Sequence, residues 1–288
     1  MPELSDIEYS RDECVQAVRD YFRFLAQMYL DESDFVHPPA GDDSDGWPSI
    51  TQDNLAGVDK DDTVLGLLRH LPYVRQRSTV GGSDTVKVAP FTTFTNWAEG
   101  ATGIANGHDD GESLKLQTEG ATLSDIVPSH VVGLTGGPRD SDVFLVDTAL
   151  GIALWYECPG EVVAASRTSP LLPPSVRPVS DDAYDYEEDE EQAEWRGDST
   201  AWSIPDFFAM LTDQFRTLEF VPLTKTTVWV THPYFHAKDR DAVVPQVRDI
   251  YRNHHWPDLV RYDKAACQAE IRTFLADNFP DLVDHFEE

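Results

Sequence analysis

Apolar positions recur along this chain with two different periods, and the switches between them divide it into parts. From Ser10 the period is helical: Val15, Val18, Phe22, Leu25 and Tyr29 fall on one face. Ser10 and Glu13 have capping-box spacing, in which each side chain answers an orphan backbone N–H, so a helix is predicted to start there. The following DFVHPPAGDDSDGWPSIT, with its Pro, Gly and Asp, predicts an irregular loop. A short helix is expected over 61–70, with Val64, Leu67, Leu68 and Leu71 inward and Pro72 ending it.

From Arg75 to Gly160 short β-branched and aromatic runs alternate with turn residues. Strands are predicted over 85–95, 114–117, 131–134, 143–146 and 152–157, together forming a largely antiparallel sheet. DTALG is a hairpin connection between the last two. Trp155 and Tyr156, being adjacent in a strand, should face opposite sides of the sheet. Helical order returns at Ser203, which with Asp206 caps a run whose Ile204, Phe207, Phe208, Leu211, Phe215 and Leu218 make one continuous stripe. A strand over 226–231 and helices over 241–254 and 263–278 complete the chain, with WPDL and FPDL as a local echo too short to be a repeat.

Between these apolar elements lies a segment of another character. RTSPLLPPSVRPVS is Pro-rich and DDAYDYEEDEEQAEWRGD is densely negative, so residues 166–198 are expected to be an insertion, with the charge block a solvated, mobile loop. The fold class is therefore α+β: a domain over 10–223 carrying that insertion, and a strand plus helical extension over 224–288.

Fifty-two acidic against twenty-two basic residues give a net charge of −30 among 288 residues. Such a surface repels phosphate backbones and anionic membranes, and suits basic proteins or cations; simple solubility is the plainer reading, and salt adaptation a further one. Cys14, Cys158 and Cys267 are odd in number and far apart, which favours a reducing compartment over a disulfide framework. The acidic start MPELSDIEYSRDE lacks the apolar core of a signal peptide, and no apolar run nears the roughly 20 residues that span a bilayer. The expectation is an intracellular protein, cytoplasmic or nuclear.

No arrangement of nucleophiles, bases or ligands stands out. His232 and His236 in THPYFH could chelate a metal on a helix, but Pro233 and the missing further ligands favour a loop. His254 and His255 sit where a helix end favours cations. Gly133, Gly136 and Gly137 lack the Lys-Ser/Thr of a phosphate loop and read as a strand-to-strand turn. Cys158 before Pro159 reads as an inert thiol, and Asp142 and Asp147 read as strand ends rather than paired acids. No cofactor or metal is expected. Phe35 and Trp47, with Trp195 and Trp202, are either core cover or interface anchors, and Trp195, inside the acidic block, is expected to be exposed.

LRHLPYV, then DVFLVDTALGIALWYE, then IPDFFAMLTDQFRTLEFVPL resembles the SUKH superfamily, which includes bacterial toxin-immunity proteins and fungal cell-wall-synthesis regulators. The resemblance covers roughly residues 15–223; the tail IYRNHHWPDLVRYDKAACQAEI is similar to extensions in filamentous-fungal proteins of this type. The acidic insertion at 181–198 and the long link before Asp142 depart from the pattern. The resemblance implies a binding scaffold without shared catalytic residues.

The expected function is a non-enzymatic protein-interaction or regulatory module. Tyr184, Asp185, Glu187, Glu188, Asp189, Glu190, Glu191 and Trp195 would recognise a basic protein partner by electrostatic steering and aromatic anchoring. The rival is a hydrolase-type enzyme whose site assembles from Asp142, Asp147, His130 and His232. A purely structural role with a dispensable acidic loop is the third reading.

Overall fold

The computed structural model describes residues 2–39, 46–76, 78–79, 82–83, 85–136, 141–169, 171–173, 176–231 and 239–283. Helix α1 (Arg11–Met28) starts where predicted, with the Ser10 hydroxyl accepting from the Glu13 N–H. After strand β1 (Phe35–Val36) come α2 (Asp62–Leu68), which Asp61 caps, and β2 (Tyr73–Val74), antiparallel to β1. A small pair, β3 (Ser78–Thr79) and β4 (Gly82–Ser83), precedes β5 (Thr93–Phe94).

Two predicted strands are corrected here. Residues 85–95 are mostly irregular, because Ala89 and Thr92 close a turn around Pro90 and Phe91, and only β5 is extended. Residues 114–117 belong to helix α4 (Gly111–Glu119), preceded by an unpredicted α3 (Trp97–Ala105). LKLQ alternates like a strand, but Asp110 accepts from the Ser113 N–H at 2.7 Å and caps a helix. That places Leu114 and Thr118 inward, one turn apart, and leaves Leu116 48% exposed.

The central sheet runs β10 (Ser199–Ser203), β9 (Ile152–Tyr156), β8 (Val143–Asp147), β6 (Val131–Gly133), antiparallel throughout. β7 (Thr135–Gly136) follows β6 and pairs with β5. The predicted hairpin joins β8 to β9 with Asp147 opposite Ile152, and Gly151 turns it at φ +71°. Only glycine fits there, since a Cβ would meet the Tyr9 N at 2.8 Å.

Both faces of this sheet are covered. Phe144, Val146, Ala153, Trp155 and Trp202 point into the main core, where α8 (Ile204–Arg216) lays its Phe stripe. Phe207 meets Phe144 edge-on at 5.1 Å. Leu145, Ile152 and Leu154 point the other way, into a second cluster with Leu123, Val127 and Trp195. Trp155 and Tyr156 take opposite sides as expected.

The remaining elements are α5 (Gly160–Thr168), α6 (Ala183–Tyr186), α7 (Glu190–Gly197), the hairpin β11 (Phe220–Pro222) and β12 (Val228–Val230), α9 (Arg240–Asn253) and α10 (Lys264–Asn278). The fold is thus α+β with a C-terminal helical region. Val243, Val247, Tyr251, Trp256, Cys267, Ile271 and Leu275 join the main core. The last turn of α1 depends on this region: the Tyr262 hydroxyl donates to the Met28 carbonyl at 2.8 Å and Lys264 Nζ to the Ala26 carbonyl at 2.9 Å. Those carbonyls have no partner within their own helix.

Candidate functional site

The acidic segment is not a mobile loop. Asp182 caps α6 by accepting from the Tyr184 N–H, and Asp189 caps α7 by accepting from the Gln192 N–H. Glu190 and Glu191 then stand in the first turn of α7, where the helix dipole favours negative charge. Part of the charge that predicts disorder is what starts these helices. Ala183, Ala193, Trp195 and Arg196 anchor them inward.

Trp195, expected to be exposed, is 2% exposed. Its indole packs in the second cluster and donates to Gln192 Oε1 at 2.9 Å, while Gln192 Nε2 donates to the Ile126 carbonyl at 2.7 Å. It therefore covers the outer face of the sheet and offers a partner nothing to touch. Trp202 is core as well, and Trp47 packs half-buried against the main core, beside Tyr73. The other residues of the expected surface behave differently. Tyr184 is 60% exposed, Asp185, Glu188, Asp189, Glu190 and Glu191 are exposed, and Glu187 is half-buried.

Beneath them Arg196 Nη1 lies 2.7 Å from Asp147 Oδ2, both side chains buried, with Glu187 3.7 Å from Arg196 Nε. The close pair is a charge contact without hydrogen-bond alignment. Asp147 Oδ1 meanwhile accepts from the Ala149 and Leu150 N–H groups, each at 2.9 Å, and shapes the hairpin turn. Sequence reasoning placed Asp147 at a turn but missed Arg196. The available signal was that Arg196 is the sole cation in DDAYDYEEDEEQAEWRGD.

The proposed catalytic set does not assemble among the described residues. His130 Nε2 is 3.8 Å from Asp147 Oδ2, but that carboxylate is already engaged by Arg196 and two backbone amides. Asp142 sits beyond the opposite end of β8, roughly five residue steps or about 16 Å away. Its backbone N–H donates to Thr92 Oγ1 at 3.0 Å, and burial pushes its carboxyl up to about 7. His232 and His236 lie outside the described residues, as do Gly137 and residues 138–140, where a strand-to-strand turn is expected from the sequence. Among the described residues no group of three or more His, Cys, Asp or Glu is arranged around a metal position. All three cysteines are free; burial raises the Cys14 and Cys267 thiols to about 12, and burial with the neighbouring Asp142 raises that of Cys158. His254 pairs with Glu270 at 2.8 Å just past α9. No described helix is long and apolar enough to cross a membrane.

Next to the acidic helices a cleft of about 290 Å³ opens between β10, α5 and α6. Val163, Val179 and Ala201 line it together with Asp181, Asp182, Tyr186, Arg167 and Arg196. Comparison with protein families, characterised proteins and solved structures finds no match for this chain.

Proposed function

We propose that this protein is a non-enzymatic protein-interaction module that binds a basic partner through the outer face of α6 and α7. The observation that carries this reading is Tyr184, 60% exposed among the exposed carboxylates Asp181, Asp182, Asp185 and Glu188. An exposed aromatic on a short helix pinned by the buried Ala183 is a pre-ordered anchor, which lowers the entropy cost of binding. The net charge of −30 supports steering of a basic protein over nucleic acid or an anionic membrane. The resemblance of the hairpin-and-Phe-helix order to the SUKH superfamily supports a binding scaffold of that type. The three unpaired cysteines favour a cytoplasmic or nuclear setting.

Deleting 181–198 would remove Trp195 and Arg196 from beneath the sheet, so loss of binding on deletion would not separate recognition from folding. The suitable variant neutralises charge alone: Asp185→Asn, Glu188→Gln, Glu190→Gln and Glu191→Gln together. A lysine- and arginine-rich peptide should bind the full chain, more weakly as salt rises, and bind this variant at least tenfold more weakly by calorimetry. Salt-insensitive binding, or equal binding by the folded variant, sinks the proposal.

A further inference from the structure

We propose, resting on the basic-partner reading above, that the cleft between β10, α5 and α6 receives one lysine or arginine side chain of that partner. The cleft adjoins the acidic face directly, because Asp181, Asp182 and Tyr186 belong to both. Among its mostly polar walls the half-buried Val163, Val179 and Ala201 offer an apolar strip that matches the methylene stem of a long cationic side chain, whose head stays near water at the mouth.

The charges around it favour a cation. Arg196 is matched by Asp147 at 2.7 Å and Glu187 at 3.7 Å. Asp181 Oδ2 accepts from the Leu4 N–H at 2.9 Å and Asp182 Oδ1 from the Tyr184 N–H at 3.1 Å. The second oxygen of each carboxylate has no hydrogen bond within the described residues and can take an incoming ammonium or guanidinium. Arg167 is the opposing charge: it is exposed, and makes no ion pair or hydrogen bond among the described residues. Along the lining itself Asp181 and Asp182 balance Arg167 and Arg196; Asp147 and Glu187, set against Arg196, add two further carboxylates and leave the surroundings of the cleft negative. An anionic group would instead face this excess.

The test separates a fitted side chain from diffuse attraction. Disordered peptides of one sequence and equal charge would carry lysine, ornithine or 2,4-diaminobutyric acid at every cationic position, measured by calorimetry at pH 6 against the full chain. A stem lying in the cleft predicts weaker binding as it shortens, up to about fourfold per methylene removed. Val163→Trp, which fills the cleft at unchanged charge, should weaken the lysine peptide about tenfold or more. Arg167→Ala provides a second variant with no added bulk, and should strengthen binding more than Arg261→Ala, a surface arginine on the turn between α9 and α10. Equal affinity for all three peptides, unchanged in Val163→Trp, overturns the cleft while leaving the basic-partner reading intact. Failure of every peptide to bind overturns both.

Discussion

Arg196 reaches from the end of α7 to Asp147 at the hairpin turn, two buried charges 2.7 Å apart joining the acidic helices to the sheet. The contact makes the acidic segment part of the fold and holds its outward carboxylates in place. Removing one partner leaves the other charge buried without compensation. Arg196→Ala is expected to cost about 3–5 kcal/mol, and Asp147→Asn combined with Arg196→Met should recover part of it. Urea denaturation of the single and double variants checks this. Additive losses would show that the two residues act independently.

Trp195 and Tyr184 stand eleven positions apart in the same acidic segment and should respond oppositely. Trp195→Ala empties part of the second cluster and is expected to destabilise by about 3–5 kcal/mol. Tyr184→Ala should change stability by no more than about 0.5 kcal/mol yet weaken binding of a basic peptide. Thermal melts and calorimetry on both proteins decide it.

Lys60 Nζ and Glu119 Oε1 form a buried ion pair at 2.6 Å. Burial raises Glu119 from its ordinary 4.5 to about 7 and lowers Lys60. Asp142 is raised in the same way, from 3.8 to about 7. In each carboxyl the folded state holds its proton more tightly than the unfolded state. The stabilisation is therefore complete below the unfolded value and is lost as pH rises through about 7. Glu119→Gln and Asp142→Asn should each flatten the decline in unfolding free energy between pH 5 and pH 7. A slope equal to that of the unsubstituted protein in both would contradict the assignment.

The end of α1 gives a fourth prediction. Lys264 donates to the Ala26 and Leu30 carbonyls and pairs with Asp31, and Gln268 donates to the Tyr29 carbonyl. Lys264→Met leaves the Ala26 and Leu30 carbonyls short of a donor and should cost about 1–3 kcal/mol. Hydrogen exchange would show faster opening of residues near 25–30 than near 15–20. Uniform change along α1 would mean that Lys264 does not act as its clasp.

The helices α1 and α8 and the β8–β9 hairpin are legible in the sequence. Their caps, stripes and turn lie within a few residues of the elements they specify, as with Ser10 and Glu13 or Ser203 and Asp206. The tail helices are legible for the same reason. Where local signals conflict, sequence reading fails: LKLQ alternates like a strand, yet Asp110 just before it caps a helix.

The acidic segment was decided only in three dimensions. As sequence, its repulsion argues for a loop; in the fold, Gln192 meets Ile126, Arg196 meets Asp147, and Leu4 meets Asp181 across 177 positions. Those contacts, with Trp195 seated on the sheet, bring together groups too far apart in the chain for any local pattern to couple. Composition alone thus marked the acidic segment, with Tyr184 inside it, as the candidate surface. Its order, the burial of Trp195 and the cleft beside it come from tertiary packing, because burial belongs to what surrounds a residue and not to the residue itself.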